Sequence, residues 1–305
     1  IPASDFAQGT LVEGTGPFSF GSEENATDMP SPSSFAGQTF VIPHVRNHHH
    51  YFILSTTGDA TITIDNGIGT TTVTALQGQV LDFYAGNTNG IAGTINYDLP
   101  ILVRHAGSSS STGNINRDVY AVPPTSLDVW GMRRGARVGA LEDNTTVTVY
   151  ESNGGTQSFV LNSGETRSVS IGDNAKNSAG SALHIIADNP IMAIQHADGD
   201  GSEQTAFHNS AFLGTHYGIP VNTQYIAVAC PDFGTTITLY DGTNPPDTQF
   251  CDGDGVTPGK AYFGSTTNGV HINAGAYLES NLPVYLIYET SLRNDEHNLL
   301  NLFRR

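Results

Sequence analysis

Positive charge is the scarcest feature of this 305-residue chain: 12 Lys and Arg face 29 Asp and Glu, a formal net charge of -17. A field of that sign repels nucleic-acid phosphate and anionic lipid, so neither nucleic acid nor a membrane surface is an expected partner. Charge of either sign is sparse, at 13% of residues. No apolar run approaches the roughly 18 residues of a membrane-spanning helix, and no membrane insertion is expected. Helical periodicity is nearly missing, with room for a helical turn or two only from Asn294 to Phe303. A Gly-x-Ser-x-Gly elbow, a phosphate-cradling Gly loop ahead of a helix and a carboxylate pair in a recognisable context are all lacking, so catalysis is not expected. The first residue is Ile1 with no cationic or apolar leader after it, as in a mature form or a numbering that starts there.

Cysteine is reduced to two residues, Cys230 and Cys251, each closing an apolar run. A bond between them would close a loop of about 20 residues, worth roughly 3 kcal/mol through the unfolded chain. The acidic balance and scarcity of Lys suit an extracellular setting where such a bond persists; two free, buried thiols are the alternative. Sequons at Asn25 and Asn144 offer glycan acceptors in a suitable host.

What the chain has in abundance is Gly, Thr and short β-branched runs. Residues 1–38 are Ser-, Gly- and Pro-rich with isolated aromatics at Phe6, Phe18, Phe20 and Phe35, the composition of an extended arm. From Phe40 onward, strands of period two alternate with Gly, Asn, Asp and Pro clusters. The runs 61–64, 145–150 and 235–240 are Thr-rich and alternate polar with apolar side chains, as half-buried strands do. The fold class expected is all-β.

Three segments repeat one order of features: an apolar-Pro step (Pro43, Pro123, Pro220), an apolar strand, a Thr-rich strand, then Asx-x-Pro before a hydrophobic strand. The last motif is Asp98-Leu99-Pro100, Asp188-Asn189-Pro190 and Asn281-Leu282-Pro283, with the prolines 90 and 93 residues apart. Pro lacks an N–H and so is expected at a strand start or edge, with the Asx capping a turn. The organisation expected is an arm over 1–38, three sandwich- or barrel-like β-units over 39–115, 116–212 and 213–292, and a tail over 293–305.

The second unit reads Asn144-Thr145-Thr146-Val147-Thr148-Val149, then Phe159 to Thr166, then Gly180-Ser181 and Ala187-Asp188-Asn189-Pro190-Ile191-Met192-Ala193. In this order it resembles bacterial surface proteins with IgGFc-binding-type β-repeats and virion structural proteins of marine phages. The third unit matches partly, through 269–277, and the first only in pattern. The resemblance implies a surface or virion role and carries no catalytic residues.

Four clusters are candidates for chemistry or contact. His48 and His50, with His44 nearby, share a strand face about 7 Å apart and suit a transition metal if a third ligand joins them, or simply form a polar strand start. Asp198, Asp200 and Glu203 alternate as in a Ca²⁺ loop but lack the twelve-residue EF-hand pattern, and an acidic turn explains them as well. The segment Cys251-Asp252-Gly253-Asp254-Gly255 is weaker in the same sense. Arg133, Arg134 and Arg137 form the single basic cluster, suited either to the acidic surface of a neighbouring copy or to pairing within the chain. The function expected is a non-enzymatic structural subunit that self-assembles on a cell surface, filament or virion, with other copies or other structural proteins as partners. Phe6, Phe18 and Phe20 of the arm would lie along a neighbour's sheet edge. The alternative is an adhesion module that binds cell-surface glycan through the Ca²⁺-type loop, and more weakly a carbohydrate-active enzyme.

Overall fold

A computed structural model describes residues 36–108, 119–170, 180–197, 203–291 and 296–298, apart from Arg46, Arg134 and Asn244. The arm up to residue 35, with Phe6, Phe18, Phe20 and Asn25, lies outside the described residues. What is described is built from three sheets of seven strands each.

The first sheet holds β1 (Gly37–Pro43), β2 (His48–Ser55), β3 (Ala60–Asp65), β4 (Thr70–Ala75), β5 (Val80–Asn87), β6 (Ala92–Ser108) and β7 (Val119–Ala121). Its order is β4-β3-β6-β2-β5, with β1 and β7 also paired to β6. The second holds β8 (Ser126–Arg133), β9 (Ala136–Ala140), β10 (Thr145–Glu151), β11 (Thr156–Leu161), β12 (Thr166–Ser168), β13 (Ser181–Ala197) and β14 (Glu203–Ala206). The third holds β15 (Gly214–Gly218), β16 (Thr223–Cys230), β17 (Thr235–Tyr240), β18 (Asp247–Cys251), β19 (Gly259–Gly264), β20 (Tyr277–Thr290) and β21 (Glu296–Asn298). All three orders superpose position for position. The tandem all-β architecture expected from the repeats is the architecture found.

One long strand organises each unit: β6, β13 or β20. Its first half pairs with the unit's first and third strands, and its second half with the second and seventh. The sheet thereby curls on itself and encloses a core. The Asx-x-Pro motif sits at the crossing between the two halves, in mid-strand, where residues 98–100, 188–190 and 281–283 have no ladder partner. This corrects the expectation that Pro marks a strand start. Pro is tolerated inside the strand because no ladder bond needs its N–H there. The Asx carboxyl or amide oxygen accepts instead from the Thr-rich strand: Thr61 N to Asp98 at 2.9 Å, Thr146 N to Asp188 at 2.7 Å, Thr236 N to Asn281 at 2.8 Å.

Two boundaries move. β7 pairs with β6, so the first sheet extends to Ala121 and not to 115. Residues 296–298, expected to lie in a partly helical tail, form β21 against Ile287–Glu289 and complete the third sheet.

The Thr-rich strands bury alternate side chains, as their pattern requires: Ile62 and Ile64, Val147 and Val149, Ile237 and Leu239. β16 differs, with all eight residues buried. Ile226, Val228 and Cys230 face the third core, while Tyr225, Ala227 and Ala229 pack on Trp130, Met132 and Ala182 of the second unit. A strand covered on both faces reads as a continuous apolar run. Met192, Ile194 and Ala206 of the second unit join the core of the first. A 3-10 turn at Ser210–Phe212 sends Phe212 against Leu102 and Ala121 of the first unit and the next residue, Leu213, into the layer between the second and third. Three cores are thus joined by apolar layers.

Candidate functional site

β2 presents His49, Tyr51 and Ile53 to the interior of the first unit. His44 follows the end of β1, and His105 faces Tyr51 across the β2–β6 ladder. The three imidazoles are fully buried. The rings of His44 and His49 stack at 3.8 Å between centroids, and those of His49 and His105 lie 5.0 Å apart. His49 Nδ1 stands 2.8 Å from His105 Nε2, and one nitrogen from each of the three residues lies within 4.8 Å of the others.

The outer nitrogens are held from behind. Thr88 Oγ1 is 2.6 Å from His44 Nδ1, and Tyr120 Oη is 2.9 Å from His105 Nδ1. Tyr51 Oη lies 2.6 Å from His44 Nε2. Burial, and then the neighbouring His49, pushes His44 and His105 well below the ordinary imidazole range, so both are neutral. Burial likewise raises the phenols of Tyr51 and Tyr120.

Gly93 makes the room. A Cβ at that position would stand 1.9 Å from Tyr51 Oη and 3.2 Å from His44 Nε2, so no residue with a side chain fits in β6 opposite the cluster. The result is three imidazole nitrogens and a phenol oxygen in a dry pocket, a donor set for a borderline transition metal and not for Ca²⁺.

The sequence pointed to the other face of the same strand. His48 Nδ1 is bonded to Tyr84 Oη at 2.6 Å and His50 Nδ1 to Asp82 at 3.0 Å, so these two do not join the cluster. Strand parity holds the signal that finds the inward one: the residues in step with the apolar Tyr51 and Ile53 are the inward ones, and His49 is in step with them. His105 is not flagged by any local motif, because it comes from a strand 56 residues away.

The remaining candidates are dispersed. Arg137 is bonded within the chain. Its guanidinium donates to the His44 carbonyl at 2.7 Å and to Ser168 Oγ at 3.2 Å, clipping the second unit to the first, and burial lowers its pKa. Arg133 ends β8 opposite Ser181, its side chain outside the described residues, as are Arg134, Asp198 and Asp200. Glu203 opens β14 opposite Ala197, and its side chain too lies outside them. Cys230 and Cys251 are bonded, with Cα atoms 6.0 Å apart inside the third core. Asn144 is exposed and has φ 57°, the left-handed position that Gly234 occupies in the third unit. In both turns the next residue, Thr145 or Thr235, donates its hydroxyl to the carbonyl three residues back. A turn that needs Gly or Asn accounts for this asparagine without a glycan.

No protein-family model matches the chain, and no curated protein matches it. Among solved structures, an anti-sigma factor domain-containing protein from Clostridium clariflavum aligns over 86% of this chain and 81% of that one, at 11% identity and a TM-score of 0.19. So loose a superposition carries no argument about this protein.

Proposed function

We propose that the chain is a non-enzymatic structural subunit of an extracellular assembly on a cell surface, filament or virion, its main partner a further copy of itself. The observation that carries this reading is the buried apolar layer between units. Trp130, Met132, Tyr225, Tyr285 and Ile287 are nearly or fully buried between the second and third sheets. The first and second are joined through Met192, Ile194 and the Arg137 clip. Modules joined by large apolar interfaces do not move freely against one another, as suits a structural subunit. The Cys230–Cys251 bond fits an oxidising compartment. Phe233 and Phe250, 79% and 75% exposed at one end of the β17–β18 pair, supply apolar surface for a contact between copies. The edge strands of each sheet offer main-chain groups to an incoming arm.

The test is light scattering and electron microscopy of the purified full chain over a range of concentrations, with Ca²⁺ and with chelator. The expected outcome is discrete assemblies that persist in chelator, and monomers when residues 1–35 are deleted. A chain that stays monomeric in every condition and binds glycan only with Ca²⁺ is an adhesin, and the reading fails.

A further inference from the structure

We propose that His44, His49 and His105, with Tyr51 as the fourth donor, form a binding site for one divalent transition metal of the Zn²⁺ type, which braces the first unit against the second. The inference does not rest on the assembly reading.

The geometry is that of a site prepared from outside inward. Metal-ligating histidines present one nitrogen to the ion and fix the other on an outer partner. Here Thr88 holds Nδ1 of His44 and Tyr120 holds Nδ1 of His105, which leaves Nε2 of both turned toward the centre. When those Nδ1 atoms carry the protons and donate outward, the inner Nε2 lone pairs face inward, that of His44 accepting from Tyr51 Oη and that of His105 from His49 Nδ1 until the ion replaces these bonds. His49 supplies the third nitrogen, Nδ1, after its proton moves to Nε2 of the same ring. Ligands of a tetrahedral centre with bonds of about 2.0–2.1 Å stand about 3.4 Å apart. The nitrogens here bracket that spacing, with one pair at 2.8 Å and all three within 4.8 Å. Tyr51 Oη is 2.6 Å from His44 Nε2, a hydrogen bond that the ion replaces: Tyr51 releases its proton to solvent and its phenolate oxygen completes four-coordination. The three rings lie nearly parallel, at 11–20° to one another, so binding requires them to turn until their in-plane lone pairs meet at one ion.

The donor chemistry selects the ion. A set of three imidazoles and a phenol with no carboxylate excludes hard cations such as Ca²⁺ and Mg²⁺. With every donor buried and the fourth position filled by a phenol, the site is closed, as structural zinc sites are. The location gives the ion its mechanical role. His44 holds the Arg137 guanidinium through its own carbonyl at 2.7 Å, and Thr88 is two residues before Gly90, whose carbonyl accepts from Thr166 Oγ1 at 2.7 Å. Fixing His44 and its partner Thr88 therefore fixes two of the bonds that hold the second unit in place.

The experiment uses the full chain stripped with chelator and titrated with Zn²⁺ and, for its visible spectrum, with Co²⁺. The expected result is one equivalent of tightly held metal, tetrahedral Co²⁺ bands that Zn²⁺ bleaches, and a melting midpoint that climbs with metal concentration but not with Ca²⁺. His105→Gln should weaken binding by more than the 10–100-fold typical of losing an outer partner, and Tyr120→Phe by about that amount. The double variant His48→Ala/His50→Ala should bind as the wild type does. Absence of a Co²⁺ spectrum and of a midpoint shift in the wild-type chain overturns the proposal, and so does binding that vanishes in the His48/His50 variant. In the first case the cluster is a hydrogen-bonded core network only. In the second, the metal sits on the exposed face.

Discussion

At the scale of single residues, burial decides behaviour more than residue type does. His208 sits between the second and third units. Its backbone exchanges hydrogen bonds with Trp130, at 2.7 and 3.0 Å, and its ring meets Tyr285 edge-on at 5.3 Å. Complete burial pushes its pKa down to about 3. The unfolded chain takes up this proton near pH 6.5 and the folded one does not, so stability is full above that pH and falls as the pH drops toward 3. For this group the loss at pH 5 relative to pH 8 is about 2 kcal/mol. Urea melts at the two pH values, in wild type and in His208→Gln, test it. The variant should show a smaller pH dependence by about that amount, and equal dependence in both chains refutes the assignment. The same principle separates the three histidines of β2. A run of three His in one strand carries no mark of which is inside, and Tyr51 and Ile53 two and four residues on are what orient His49 inward.

At the scale of elements, the repeats were legible because each unit spends its distinctive residues on the same task. The Asx of Asx-x-Pro must reach one backbone N–H in the Thr-rich strand, and it does so in all three units. The mid-strand placement of the Pro was not legible, since a local motif cannot announce that one strand will serve two halves of a curled sheet. Nor could the sequence reveal that β7 and β21, three residues each, complete the sheets behind them. The shared task yields a substitution rule. In the third unit Asn281 uses both ends of its amide, accepting from Thr236 N at 2.8 Å and donating to the Gly234 carbonyl at 3.0 Å. Asn281→Ala should cost about 2 kcal/mol in a urea melt, the ordinary value of two lost hydrogen bonds. In the second unit Asp188 supplies only an acceptor to Thr146 N, so Asp188→Asn should keep the contact and Asp188→Ala should lose it. Amide exchange at Thr146 is the direct readout. It should accelerate in the alanine variant and stay slow in the asparagine variant, and equal rates in the two would remove the clamp from the account.

At the scale of the whole molecule, the question is whether three similar units unfold as three or as one. Each has its own core, which favours independence. Against this stand the layers between them. Tyr225 and Tyr285 are almost completely buried against the second unit, and the Tyr285 hydroxyl donates to the Ala206 carbonyl across the junction at 2.8 Å. Each such large side chain contributes on the order of 1.5–3 kcal/mol when buried, and losing one unit would expose its neighbour's half of the layer as well. Several such side chains together approach the 5–15 kcal/mol stability of a whole domain, so coupling wins. Calorimetry should show one transition whose calorimetric and van't Hoff enthalpies agree. The Cys230–Cys251 bond, lying wholly in the third unit, then becomes a probe of the whole. Its reduction removes about 3 kcal/mol, which at the usual sensitivity of a chain this size lowers the midpoint by about 5 °C. In a coupled molecule the single peak moves intact. If reductant instead splits off a low-temperature peak and leaves the remainder where it was, the third unit folds alone and the layers do not weld the chain into one body.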